Sequence, residues 1–75
     1  MSKRNKTADS IYKVVEVIGT SPESWEDAAK NAVETASTTL RDLRIAEVVK
    51  QDMKIEKGEV KAYRTRVMLS FKYES

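Results

Sequence analysis

The sequence predicts an α+β fold whose elements follow the order β-α-β-β. Three features of the sequence predict it: a β-branched segment, a helical stripe of mostly small residues, and two further strand-like segments joined by a short turn. The apolar pattern of each segment matches the period of the element it predicts, which is two residues for a strand and 3.6 for a helix. With 75 residues the chain is long enough for one domain.

The first strand is predicted from Ile11 to Ile18, where Ile, Val and Tyr dominate, and Gly19 is expected to release the chain from it. Ser24, followed three residues later by Asp27, predicts the start of a helix because the two side chains can satisfy free backbone amides there. The helical stripe that follows is Trp25, Ala29, Ala32, Ala36 and Leu40, widened by Ala28 and Val33. Small side chains let a helix approach a sheet closely, so we expect this helix in the concave face of a curved sheet. Trp25 is interpreted as its bulky structural anchor in the core.

A second strand, from Leu43 to Ile55, and a third, from Val60 to about Tyr73, are predicted to form a hairpin. Its turn is Glu56-Lys57-Gly58-Glu59, in which Gly58 can take a positive φ. The odd positions of the third strand form an apolar row that should face the helix: Tyr63, Thr65, Val67, Leu69, Phe71 and Tyr73.

A two-residue turn at Lys57-Gly58 decides which residues of the second strand join that row, because opposed residues share a face. Ala46 and Val48 then lie under the helix. The other face is expected to carry Leu43, Ile45, Glu47, Val49, Gln51, Met53 and Ile55 beside Arg64, Arg66 and Met68. Exposed apolar residues on that face would mark an interaction surface. A three-residue turn with a bulge would shift this pairing by one residue.

The composition excludes several classes of function. The sequence contains no Cys and no His, so disulfides, thiolate zinc sites and the commonest general base are excluded. No spacing of the remaining side chains selects a nucleophile with a base, and we therefore expect no enzyme activity. A chain this small needs support beyond its own core, and oligomerisation is the support that remains.

The net charge of +2 does not indicate a nucleic-acid partner. Lys3, Arg4 and Lys6 outweigh Asp9 by 3 − 1 = +2, so the excess lies at the start of the chain and the rest sums to zero. A nucleic-acid-binding protein would concentrate its basic residues on a folded face. Residues 1–9 are expected to be a flexible arm and residues 10–75 a single domain. No segment is apolar enough to predict a membrane span or a signal peptide, and the cytoplasm is the default compartment.

One family shares these features. The string IYKVVEVIGTSPESWEDAAKNAV, followed by TLRDLRIAEV and AYRTRVMLSFKY, resembles the dodecin family from Ile11 to Tyr73. The resemblance implies a three-stranded antiparallel sheet wrapped around one helix, with twelve copies assembling into a hollow homododecamer. It also implies binding and storage of a small ligand, usually a flavin, without catalysis.

Two positions depart from the flavin-binding members of the family. Those members carry a Trp before the A-E-V or F-E-V of the second strand and a Gln after the Tyr of the third, where this sequence has Ile45 and Arg64. Ile offers no π face to a flavin ring, and Arg cannot accept a hydrogen bond. Glu47 belongs to the same implied pocket. We therefore expect a ligand shell that does not use the usual flavin site.

Two alternative functions remain beside a ligand shell without the usual flavin site. The first is a flavin-storing dodecin with altered pocket contacts, in which Arg64 reaches the ring carbonyls or a phosphate. The second is a purely structural or partner-binding oligomer.

Calcium is the other candidate ligand. Four carboxylates lie near the hairpin: Glu47, Asp52, Glu56 and Glu59. Calcium prefers about six to eight oxygen ligands, so these acids would suffice only where several copies meet. The pattern RIAEVVKQDM with YRTRVMLSFK is similar to the calcium dodecin branch of the family, which keeps the shell and binds calcium. Glu47 and Asp52 are the candidate metal ligands.

Overall fold

A computed structural model describes residues 11–72 of the chain. Its elements are β1 (Tyr12–Ser21), α1 (Trp25–Ala36), β2 (Leu43–Glu56) and β3 (Glu59–Lys72). The strands form one sheet in the order β1-β3-β2, and both pairings are antiparallel. The predicted β-α-β-β fold with a three-stranded antiparallel sheet is thus confirmed. The predicted arm at residues 1–9, and Tyr73 of the predicted apolar row, lie outside the described residues.

The first strand continues to Ser21, three residues beyond its predicted end at Ile18. The expectation that Gly19 releases the chain was wrong, because Gly19 lies inside the strand and serves another purpose. A Cβ placed on Gly19 would overlap the carbonyl oxygen of Ala28 and lie 2.9 Å from the Cβ of Ala32. Glycine within a strand is typical of places where another backbone approaches closely.

The start of α1 is fixed by two side chains. Ser24 is the N-cap, as predicted, and its Oγ accepts a hydrogen bond of 3.0 Å from the amide of Asp27. The carboxylate of Asp27 turns away from Ser24 and accepts a 2.7 Å hydrogen bond from the hydroxyl of Ser21. Because Ser21 is only 2 % exposed, this bond ties the first turn of the helix to the end of β1 in a place that water hardly reaches.

The helix ends at Ala36, one turn before Leu40, the last member of the predicted stripe. Hydroxyl groups account for this end. Ser37 and Thr38 donate their hydroxyl hydrogens to the backbone carbonyls of Glu34 and Thr35, at 2.8 and 2.7 Å. Side chains of this kind offer the backbone an alternative to continued helix.

The core lies between α1 and the strands β1 and β3. Among residues 11–72 four apolar residues are buried: Ala28, Ala32, Val67 and Leu69. The predicted apolar row of β3 is confirmed at Thr65, Val67 and Leu69, all of which are buried. The helix contacts β2 only slightly. Val48 therefore remains 52 % exposed, although it lies opposite buried Val67 on the helix side of the sheet.

The predicted two-residue turn of the hairpin is confirmed. Lys57 and Gly58 both have positive φ, at 52° and 78°, and Glu56 pairs with Glu59. Positive φ at both central residues is the geometry that matches the twist of the flanking strands.

Bulges further along the hairpin change the faces of β2. Lys61 of β3 and Val49 of β2 are extra residues in the ladder, and between these bulges the predicted pairing is shifted by one residue. The predicted face is confirmed for Ala46 and Val48, which lie opposite Leu69 and Val67, but the expectation that they lie under the helix was wrong, because both are exposed.

The prediction was wrong for Leu43, Gln51 and Met53. Gln51 and Met53 lie opposite Thr65 and Tyr63 on the helix side, because the extra Val49 inverts the alternation of faces beyond it. Lys50 and Asp52 take their places on the side of the sheet turned away from α1, which we call the far face. A further register shift between Leu43 and Ile45 sets Leu43 opposite Phe71, where it packs against the core.

The packing at Gly19 leads to a stability prediction. Gly19→Ala places a methyl group against the Ala28 carbonyl, and overpacking of this kind costs roughly 1–3 kcal/mol. We expect a loss in that range in urea unfolding followed by the fluorescence of Trp25. Gly58→Ala is the comparison, because its added methyl would meet no atom within 4 Å and would cost only the strain of a positive φ. An unchanged stability of the Gly19→Ala protein would contradict the close approach.

Candidate functional site

The structure places all four predicted site residues on the far face. Ile45 and Glu47 lie opposite Ser70 and Met68, before the bulge at Val49. Asp52 and Arg64 lie opposite each other, beyond that bulge. Ile45 is 58 % exposed, so its aliphatic side chain lies at the surface of the far face.

Asp52 and Arg64 form the shortest side-chain ion pair among the described residues. The Arg64 Nε donates to Oδ1 of Asp52 at 2.7 Å, and its Nη2 donates to Oδ2 at 2.8 Å. A guanidinium that binds a carboxylate through two parallel hydrogen bonds is fixed in orientation as well as in charge. Both side chains remain about half exposed, so solvent weakens the pair without breaking its geometry.

The ion pair perturbs the titration of both partners. The hydrogen bonds from Arg64 lower the pKa of Asp52 below its ordinary value, and the positive charges of Arg64, Arg66 and Lys50 act in the same direction against a desolvation effect. The same hydrogen bonds raise the pKa of Arg64. Asp52 is therefore a carboxylate that lies among three cations and is held by one of them.

Trp25 supports this pair from the helix. Its Nε1 donates a 2.9 Å hydrogen bond to the backbone carbonyl of Asp52, and its ring meets that of Tyr63 edge to face at 5.0 Å. The Trp25 carbonyl also accepts a 2.9 Å hydrogen bond from the hydroxyl of Thr65. These contacts support the predicted structural role, but within one chain Trp25 is half-buried instead of a member of the buried core.

The two candidate metal ligands do not converge within one chain. Glu47 and Asp52 are five positions apart on β2, and a strand rises about 3.3 Å per residue, which separates them by roughly 13–16 Å. Calcium ligands lie about 2.3–2.6 Å from the ion, so these two acids cannot share one. Among residues 11–72 no group of three or more acids could hold a metal ion.

The two acids also differ in availability. Both carboxylate oxygens of Asp52 accept hydrogen bonds from Arg64. Glu47 is exposed and forms no ion pair within the described part of the chain. Of the two, Glu47 is therefore the acid that can accept a cation without first losing a partner.

The sequence reasoning missed two features of this face. It placed Arg66 here but not Lys50, which the bulge at Val49 brings opposite Arg66. It also missed Glu16 of β1, whose Oε2 lies 3.8 Å from the Nη1 of Arg66. The alternation of β1 gives a signal for Glu16, whereas the sequence contains no signal for a bulge at a valine.

The fold is that of a small α+β domain in which one helix packs on a three-stranded antiparallel sheet. A family model described as Dodecin matches residues 11–74. The chain belongs to the dodecin family.

Relatives and solved structures agree with this assignment. The calcium dodecin of Mycobacterium tuberculosis is 46% identical over 63 residues, which cover 84% of this chain and 89% of that protein. The structure of a dodecin from Streptomyces coelicolor has a TM-score of 0.86 at 39% identity, covering 92% of this chain and 99% of that one. The crystal structure of the M. tuberculosis calcium dodecin, described as calcium chelating with a novel calcium-binding site, has a TM-score of 0.77 at 45% identity, covering 87% and 93%.

Family membership supports two general properties of this chain. Dodecins are binding proteins that form multimeric assemblies, which supports small-ligand binding and self-association here.

No helix within residues 11–72 is long and apolar enough to cross a membrane.

The Asp52–Arg64 pair generates a pH prediction. Because the pKa of Asp52 is lower in the folded state than in the unfolded chain, the pair stabilises the fold above the unfolded value of about 3.9. That stabilisation is lost as the pH falls through the lower folded value. We expect wild type to exceed Asp52→Asn in free energy of unfolding by a constant amount from pH 5 to 8, and the difference to shrink below about pH 4.

The control for this experiment is Glu34→Gln. This exposed helix acid lies 4.0 Å from Lys30, and we expect its removal to change stability little at any pH. A wild-type advantage over Asp52→Asn that persists undiminished to pH 2 would contradict the titration of the pair.

Proposed function

We propose that this chain is one subunit of a closed shell of twelve copies that binds and stores a small ligand without catalysing a reaction. The shell does not use the usual flavin site of the family, and its ligand is calcium. Binding and buffering of calcium require oxygen ligands and no nucleophile or base.

The exposure of β2 supports assembly. Its apolar residues are exposed on both sides of the strand, with Val48 on the helix side and Ile45 on the far face. The helix packs against β1 and β3 and leaves β2 exposed. In the assembly that we propose, a second copy of the chain covers β2. Small domains without disulfides commonly gain their stability by oligomerisation. Membership of the dodecin family supports self-association, and twelve is the number of copies that we propose.

The main observation against use of the usual flavin site is the bidentate ion pair between Arg64 and Asp52. A position that would hydrogen-bond the edge of a neutral ring is occupied by a cation, and that cation is already held by an acid. Burying such a pair under a neutral ligand costs desolvation energy that the ligand cannot return. Ile45 at the stacking position removes the ring contact as well.

Two facts support calcium as the ligand of the proposed shell. A relative that is 46% identical over most of both chains is a calcium dodecin. Glu47 is exposed and without an ion pair among residues 11–72, so copies of it gathered at a symmetry axis would provide hard oxygen ligands. Asp52 is the weaker candidate because Arg64 occupies both of its oxygens.

A flavin bearing a phosphate is the second candidate ligand. Arg has five N–H donors, and Asp52 engages only two of those of Arg64. The remaining donors favour an anionic flavin over a neutral one, so the two forms should be titrated separately.

The calcium prediction concerns Glu47. Calorimetric titration of the metal-stripped assembly should show saturable calcium binding, weakened about tenfold or more in Glu47→Gln because a charged ligand is lost from every copy. Glu34→Gln on the helix surface is the matched control, and we expect no change for it. Light scattering should give the mass of the same closed oligomer for all three proteins.

Each part of this proposal can fail separately. A stable monomer at micromolar concentration would refute the shell. A closed shell that takes up no calcium would refute the ligand, and equal calcium affinities of wild type and Glu47→Gln would refute the assignment of Glu47.

The flavin prediction concerns Ile45 and Arg64. We expect weak or absent riboflavin binding by the natural protein. The double change Ile45→Trp with Arg64→Gln should create or strengthen it, because it restores a ring for stacking and an amide for pairing. Quenching of flavin fluorescence measures the affinity, and Ile45→Leu with Arg64→Gln controls for loss of the ion pair alone. Tight riboflavin binding by the natural protein, with no gain from the double change, would restore flavin storage as the function.

A further inference from the structure

The bulge at Val49 assembles a cluster of cations on the far face. Without this extra residue, the pairing of Val48 with Val67 would continue and would set Val49 opposite Arg66. The bulge instead sets Lys50 opposite Arg66 and leaves the apolar side chain out of the ladder. Bulges commonly re-aim side chains next to functional sites.

The three cations of this cluster, Lys50, Arg64 and Arg66, are unequally compensated. Arg64 is held by Asp52 through two short hydrogen bonds, whereas Arg66 has Glu16 at 3.8 Å, beyond hydrogen-bonding distance. Lys50 forms no ion pair within residues 11–72.

Lys50 and Arg66 are thus like charges placed directly across two strands, an arrangement that destabilises a sheet. A group that brings negative charge between them would remove this repulsion. The three cations also lower the pKa of Asp52. The hydrogen bonds from Arg64 are the largest cause, and the positive charges of Arg66 and Lys50 add to it.

We propose that Lys50, Arg64 and Arg66 form a binding site for a phosphate-class oxyanion on the far face of the sheet. Lys50 supplies an ammonium without an ion-pair partner in the described chain, and Arg66 supplies a guanidinium that is ion-paired with Glu16 at 3.8 Å but does not hydrogen-bond to it. Asp52 leaves Arg64 three of its five N–H donors while fixing the plane of its guanidinium. Guanidinium groups match the geometry of phosphate oxygens.

This site differs from the proposed calcium site and does not depend on it. Its ligand has the opposite charge, and its residues lie beyond the bulge, whereas Glu47 lies before it. Calcium-free buffer, prepared over a chelating resin instead of with an anionic chelator, separates the two in solution.

The test is a calorimetric titration of inorganic phosphate into the native assembly at pH 7, with chloride exchanged so that the ionic strength stays constant. We expect saturable binding that weakens about threefold or more in Lys50→Met, since one charge contact is lost. Lys57→Met is the matched control, because Lys57 is an exposed lysine at the hairpin turn, remote from the cluster. Its affinity should equal that of wild type.

Competition defines the chemical class of the ligand. Sulfate and glycerol phosphate should displace inorganic phosphate, and uncharged glycerol should not. Absence of saturable phosphate binding would overturn the proposal, as would equal affinities of Lys50→Met and wild type. Light scattering must show that Lys50→Met keeps the mass of the wild-type assembly, and Lys50→Arg, which keeps the charge, should retain binding.

Discussion

The close approach of α1 to the sheet at Gly19 is the contact on which the rest of the structure depends. The Ala28 carbonyl and the Ala32 methyl occupy the space that any side chain at this position would need. The bond from Ser21 to Asp27 then holds the start of the helix against the end of β1. Because the helix packs against β1 and β3, it leaves β2 uncovered, and five of the ten large apolar side chains that are exposed among residues 11–72 lie on β2.

Bulges decide which residues that uncovered strand presents on each side of the sheet. The shift at Val49 moves Met53 to the helix side, next to Tyr63 and near Trp25, and brings Asp52 to the far face against Arg64. The Trp25 indole donates a hydrogen bond to the backbone carbonyl of Asp52, and this bond links the two changes. The backbone at residues 52–53 therefore contacts the aromatic pair on the helix side, while the Asp52 side chain forms the ion pair on the far face. An extra residue in a ladder therefore decides the chemistry of the face as well as its curvature.

Much of this could be predicted from the sequence, and the limits have physical causes. Element order, the Ser24 cap and the Lys57-Gly58 turn depend on local patterns, and the structure confirms them. The role of Gly19 depends on the helix that packs against its strand, which a local pattern does not show. The end of α1 depends on side-chain hydroxyls that compete for the backbone carbonyls of the helix. The faces of β2 beyond Val49 depend on a bulge without a Gly or Asx signal. Ile45, Glu47 and Arg64 were placed on the far face as predicted, whereas Asp52 reached it only through that bulge.

The charges of the far face are divided along the strands, and this division constrains any ligand. Glu16 and Glu47 flank Met68 from the two neighbouring strands, forming an acidic row. The next rows towards the hairpin turn carry Lys50, Arg66 and Arg64 with Asp52. The charges of these rows would therefore favour a divalent cation beside Glu47 over one beside Asp52, although both regions contain carboxylates. An oxyanion meets the opposite field. Hence the position of an acid relative to the bulge, more than its mere presence in the sequence, determines which ion it can help to bind.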